Sequence, residues 1–202
     1  MKFFILASLI LLGFLIYRAS RLQRKQSAHE EKTFWEREEE ANSVRRKPLD
    51  GLEYITIPLD TLPVNVLSDN DVVTNCTQII TGLADQKIVN LTGYTNTDLK
   101  LAYGAANLTA LTEYDDNYTL LARTLQEWAD ALHAAGLDTA AQSVLEFAID
   151  THTDVSRSYY LLAEIYAGNL DYSRIEALAD AAASLRSSNA QTIVRTLQET
   201  YL

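Results

Sequence analysis

The sequence predicts an all-α protein, and three observations carry the prediction. Proline and glycine are scarce, 3 and 7 in 202 residues, which disfavours the turn-rich all-β architectures. From about Asp69 onward, apolar residues recur at the spacing of a helix face. A pattern of 34 residues is also written twice, over 122–155 and 156–189, and begun again at 190.

The repeat is visible residue by residue. Leu125 is followed at the same phase by Tyr159 and Ile193, while Trp128 maps onto Leu162, Ala129 onto Ala163, Leu132 onto Tyr166 and Ala148 onto Ala182. Large side chains fall where two helices of a hairpin wedge together, and alanines fall where their backbones approach closely. Gly136 stands where a helix must stop, because glycine reaches the left-handed conformation without steric cost. In this period and residue pattern the stretch resembles the tetratricopeptide (TPR) repeat.

That resemblance implies a short TPR-like α-solenoid with Leu125, Trp128, Ala129, Leu132, Ala141, Leu145 and Ala148 as packing positions of the first repeat. In the second repeat they are Tyr159, Leu162, Ala163, Tyr166, Ala179 and Ala182, with Ile175 in place of a small residue and Leu170 in place of the turn glycine. Thr153 stands where the family closes its repeat with proline. Residues 190–202 then form a cap helix carrying Ile193, Val194, Leu197 and Tyr201, begun by Ser188 or Asn189. The resemblance also implies a groove along the first helices that holds a peptide or extended segment. By position its lining is Arg123, Gln126, Asp130 and His133, then Arg157, Tyr160 and Glu164, with Gln191, Val194 and Gln198 from the cap helix.

Ahead of the repeats the chain changes character several times. Residues 3–17 are an almost wholly apolar run flanked by Lys2 and by Arg18, Arg21, Arg24 and Lys25. As a helix it rises about 22 Å against a hydrocarbon core of roughly 30 Å, short for a span unless the flanking cations snorkel. Its length also suits a signal peptide, yet Arg18 and Arg21 fall where a cleavage site needs small residues, so residues 1–17 are read as a retained transmembrane anchor. The cations after the run place the bulk of the chain on the cytoplasmic side, as a single-pass protein of the cell membrane.

Residues 18–47 read as a charged juxtamembrane helix or stalk, with Phe34 and Trp35 either solvated or docked on a neighbouring surface. Pro48, Pro58 and Pro63 mark 48–68 as an extended linker or strap in which Tyr54–Ile57 has strand character but no evident partner strand. Such a strap could lie along the helices or occupy the groove. The helical domain is expected over 69–202. Asp69 or Asp71 should cap its first helix, with breaks at Gly93, at Asn96–Asp98 and at Asp115–Asn117. The FWERE and YITIPLDTLP stretches are similar to uncharacterised single-pass membrane proteins of Gram-positive bacteria, a likeness that implies anchoring and no mechanism.

Charge narrows the function classes. Residues 1–59 carry a net charge of +2 and residues 60–202 of −12, and an acidic domain repels polyanions, so nucleic acid is excluded as a direct partner. Cys76 is the only cysteine and falls in the apolar stripe Val72, Val73, Cys76, Ile79, Ile80 and Leu83, as a small buried hydrophobe rather than a nucleophile. Four Asn-x-Ser/Thr sequons, at Asn75, Asn90, Asn107 and Asn117, would be glycan sites in a secreted protein but read here as the chance product of a Thr- and Asn-rich sequence, with Asn107 and Asn117 starting helices. Asp150, His152 and Asp154 could be mistaken for metal ligands, but a strong site needs further ligands from elsewhere, and the cluster reads as loop polarity. No nucleophile motif, phosphate loop or dinucleotide fingerprint occurs, so neither catalysis nor a metal or other cofactor is expected.

The expected function is a membrane-anchored adaptor or scaffold that binds a protein or peptide partner, attached to the lipid bilayer through residues 3–17. The alternative is a structural subunit that self-associates through its terminal and stalk helices, cued by apolar residues near Ile193 and Tyr201.

Overall fold

The computed structural model describes residues 32–202, so the apolar run 3–17 and the cations that follow it lie outside the described residues. Among the described residues no helix is long and apolar enough to cross a membrane. They form eight α-helices and one short 3-10 helix: α1 (32–43), α2 (Asp71–Leu83), α3 (Asn96–Tyr103), the 3-10 helix (Ala105–Asn107), α4 (Leu108–Ala134), α5 (Asp138–Asp150), α6 (Ser156–Gly168), α7 (Tyr172–Ala183) and α8 (Ala190–Tyr201). The described residues divide into two compact units, one holding residues 32–47 together with Asn96–Asn107, the other Pro48–Thr95 together with Leu108–Leu202.

In the smaller unit α1 packs on α3. Ala41 is buried, and Glu38 accepts from Thr97 Oγ1 at 2.7 Å and pairs with the Lys100 ammonium. Those partners, Lys100 first, hold the Glu38 carboxyl below its usual range. Arg37 donates to Asp98 at 2.6 Å. This part of the charged stretch is therefore not solvated all round: Phe34 and Trp35 are exposed and touch edge-on, while the face bearing Glu38 and Ala41 is covered. Asn96–Asp98, expected as a break, instead begins α3. The chain turns at Gly104, with φ +90°, where an added Cβ would lie 2.4 Å from the Arg45 carbonyl oxygen. Asn107 closes the unit from a fully buried position, its amide donating to Lys47 O at 2.7 Å and Tyr103 O at 2.8 Å and accepting from Arg46 Nε at 2.9 Å.

In the larger unit, α2 packs on α4, and α4 through α8 follow with each helix packed on the next. Asn70, rather than Asp69 or Asp71, caps α2, its side chain accepting from the N–H groups of Val72 and Val73. The segment 48–70 turns at residues 50–52, is extended over 53–58 and then runs through further turns from residue 59. Its strand-like stretch does find a partner: Tyr54 bridges Val89, and the Ile55 N–H donates to Ile88 O at 2.9 Å. Ile57 and Leu62 anchor the segment in the core.

The largest correction concerns α4, which runs unbroken through Asp115–Asn117. Short polar side chains usually weaken a helix by competing for its own backbone. Here they bond outward: Asp115 accepts from the Leu91 N–H at 3.1 Å and Asn117 donates to Lys87 O at 3.1 Å. Leu111, Tyr118, Leu121, Leu125, Trp128 and Leu132 meanwhile form one buried stripe that ignores the polar interruption.

Helix phase repeats along the unit. The first residues of α5 and α7 lie 34 positions apart, as do those of α6 and α8. The turn positions correspond as well, with φ +72° at Gly136 and +59° at Leu170. Leu125, Trp128, Ala129 and Leu132 are fully buried, and Tyr159, Leu162, Ala163 and Tyr166 nearly so. Between the hairpins, Glu146 of α5 accepts from the Tyr166 hydroxyl at 2.9 Å and from Arg174 at 2.6 Å. Asn189 precedes α8 without a side-chain cap bond; Ile193 is fully buried, Val194 and Tyr201 are half-buried against the core, and Leu202 is exposed.

Leu170 combines left-handed backbone with 74 % exposure. A side chain there costs about 1–2 kcal/mol and returns little burial, while glycine's extra unfolded-state freedom offsets only part of that. Leu170→Gly is expected to raise the unfolding free energy by about 0.5–1 kcal/mol in chemical denaturation.

Candidate binding groove

The face of α4 beside its buried stripe walls a cavity of about 630 Å³. Its apolar floor comes from Val72 of α2, Ala122 and Ala131 of α4, and Val155 at the start of α6, with the buried ring of Tyr118 beneath. Arg123 and Glu127 project from exposed positions on α4, while Thr92 and Asp154 close the cavity from two loops. Val72 is 41 % exposed, which leaves a sizeable apolar side chain open to an incoming group. The apolar stripe expected for α2 therefore splits, with Val73, Cys76, Ile80 and Leu83 turned into the core and Val72 into the groove.

A polar strut crosses one end of this cavity. Gln126 is buried, accepting from Ser158 Oγ at 2.6 Å and donating to Asp130 Oδ2 at 2.9 Å. The other oxygen of Asp130 accepts from Arg157 Nε at 3.1 Å and from its terminal nitrogen at 2.9 Å. Gln126 and Asp130 thus use most of their bonding capacity to tie α4 to α6. A buried amide with both ends satisfied is a fixed wall, whereas Arg123 and Glu127 are free to reorient toward a ligand.

Of the ten residues expected in the groove, Gln191, Val194 and Gln198 of α8 are not among those lining the cavity, and the seven on α4 and α6 separate. Arg123, Gln126 and Asp130 line the cavity, and Arg157 braces it through Asp130. His133 is turned away to the α4–α5 turn, where Nδ1 lies 2.7 Å from Asp138 Oδ1. Tyr160 is half-buried against the core, and Glu164 is exposed on the next turn of α6; their charges act on Tyr201, so the end of α8 approaches them. Burial, more than these charges, raises the Tyr201 hydroxyl.

No family model, characterised protein or solved structure matches this chain. The functional reading accordingly rests on the geometry alone.

Thr92, Glu127, Asp154 and Val155 are the groove residues that helix phase could not supply. Thr92 and Asp154 come from loops, and no periodicity specifies which loop folds over which helix. Glu127 lies one position along α4 from Gln126, about 100° round the helix from the expected face.

A second cavity of about 600 Å³ abuts the first, sharing Thr92 and Asp154 as walls. It is bounded by the 53–56 stretch, by the C-terminal end of α5 and by the loop after α7. Asp150, His152 and Asp154 all contribute to it, with His152 exposed and in left-handed backbone at φ +56°. Among the described residues no group of three His, Cys, Asp or Glu side chains is placed to hold a metal ion. Arg186 stands over the Tyr94 ring at 4.9 Å and bonds to its hydroxyl, so this cation is engaged within the protein.

The remaining sequence candidates fall into structural roles. Cys76 is fully buried, and burial, with a smaller contribution from the charge of Glu127, pushes its thiol up to about 11, far from a reactive thiolate at neutral pH. Three of the four sequon asparagines are engaged: Asn90 donates to Thr151 O and His152 O, both at 3.0 Å, Asn117 donates to Lys87 O, and Asn107 is buried. Asn75 alone is exposed on a helix surface.

Proposed function

We propose that the larger unit is a TPR-like binding module that holds a segment of a partner protein in the groove along α4, as an adaptor without catalytic function. The observation that carries this reading is the cavity of about 630 Å³ with an open apolar floor and exposed charges at its rim. Such a cavity admits one or two apolar side chains of a bound chain, and small apolar clefts with a few polar groups are common recognition sites. The repeat of helix phase at 34 residues supports the TPR-like assignment. The apolar run 3–17 supports attachment to a cell membrane, with the module on the cytoplasmic side. Tethering would raise the local concentration of module and partner, so a weak groove suffices.

Val72→Glu tests the reading. Val72 is partly exposed, so a charge there should leave the unfolding midpoint nearly unchanged while destroying the apolar floor. The expected result is at least a tenfold loss of partner retention by the full-length chain captured from its membrane. Undiminished retention by a folded variant removes the groove from the binding surface.

A further inference from the structure

The geometry points to the chemistry of the segment that the groove receives: an extended chain with an apolar anchor residue, flanked by lysine or arginine on the side of the second cavity. This inference rests on the groove reading above and adds the class of ligand.

Two features define the shape. The cavity along α4 and the one bounded by residues 53–56 meet at a shared wall, Thr92 and Asp154, so together they form a longer trough. The first part has the apolar floor, with Val72 open to solvent; the second is lined by more polar groups. An extended segment rises about 3.3 Å per residue, so side chains two apart face the same way and can enter successive parts of such a trough.

Charge selects the occupant. Glu127, Asp154, Asp150 and Glu53 line the two cavities, and none has an ion-pair or hydrogen-bond partner among the described residues. The cations on the trough are Arg123, which faces Glu127 from the same helix, and Arg186, which Tyr94 already engages. Asp130 is compensated by Arg157. The trough is thus a predominantly acidic rim around an apolar floor, within a stretch of net charge −12 over residues 60–202. A basic segment gains from that field in both approach and alignment, and an acidic one is repelled.

The test uses the full-length chain in zwitterionic nanodiscs and fluorescently labelled peptides of about twelve residues, roughly 40 Å when extended. One peptide combines lysine, serine and a central valine, a second replaces lysine by glutamate, and a third replaces it by serine. The lysine peptide is expected to bind most tightly. Glu127→Gln with Asp154→Asn should weaken it roughly tenfold, and Glu53→Gln with Asp150→Asn by a similar factor. Glu176→Gln with Asp180→Asn, which removes two exposed charges of α7 outside the trough, should leave affinity unchanged. Equal losses from all three pairs would reduce the effect to overall charge and overturn the inference. Equal binding of the serine or glutamate peptide, abolished by Val72→Glu, would overturn the charge selection while leaving the groove reading intact. Binding of none of the three would count against both.

Discussion

Trp128→Ala is expected to lower the unfolding free energy of the larger unit by about 3–5 kcal/mol, the range for deleting a large aromatic side chain from a close-packed core. Trp128 is fully buried at the centre of the α4 stripe and belongs to the cluster that also contains Leu125, Leu145, Tyr159 and Leu162. A domain's stability is only about 5–15 kcal/mol in total, so the variant should unfold at a much lower denaturant concentration. Trp128→Phe should behave differently. The indole N–H has no acceptor among the described residues, and removing an unsatisfied donor recovers part of what the lost volume costs. The expected loss for phenylalanine is about 1–2 kcal/mol, well short of the alanine value. Urea denaturation followed by circular dichroism checks both, and equal losses for the two variants would show that the N–H is satisfied.

The second large effect belongs to the smaller unit. Gly104→Ala places a methyl group 2.4 Å from the Arg45 carbonyl oxygen, and it does so on backbone at φ +90°. Neither problem can be relieved by a rotamer change, because the obstructing atom is main chain. Strain at a forbidden φ and a backbone clash each cost on the order of 1–3 kcal/mol. Among the described residues the unit has little to oppose them, since the buried apolar residues there are Ala41 and Leu99 and the other ties are polar. The 44–47 segment should therefore detach from α3 while the larger unit stays folded. Trypsin cleavage after Arg45 and Arg46 should accelerate at least tenfold, because cleavage follows the population of the opened form. An unchanged rate would mean that the close approach at Gly104 does not hold the segment.

Where the sequence was informative, a single physical cause dominated. The packing positions of α4 and α6 are those the 34-residue pattern and its TPR resemblance imply, and they are buried because they form a continuous apolar face. Gly136 marks its turn because no other residue adopts φ +72° so readily. Leu170 occupies the corresponding turn against its own preference, which shows the tertiary hairpin overriding local propensity. The failures have the opposite character. Asp115–Asn117 reads as a break until Leu91 and Lys87 provide external partners for those side chains. Asn96–Asp98 reads as a loop, yet Thr97 and Asp98 bond to residues some sixty positions earlier, a pairing that no local pattern announces.

The groove was legible to the same degree and for the same reason. Helix phase placed Arg123, Gln126 and Asp130 on the cavity wall. It could not foresee that Gln126 and Asp130 would be occupied by Ser158 and Arg157, nor that Thr92 and Asp154 would fold in from loops to join the two cavities. Those loop positions convert a helix face into a bounded trough, and they are also where a partner's specificity would be set.

The most direct measurement is photo-crosslinking from the intact chain in the cells that express it, with a photoreactive residue at Thr119 or, as a control, at Glu176. Both positions are exposed, but Thr119 borders the cavity on α4 and Glu176 is on α7, away from it. The account predicts a discrete crosslinked partner from Thr119 that is lost when Val72→Glu is added and is absent from Glu176. Crosslinks of equal yield from both positions, indifferent to Val72→Glu, would contradict it.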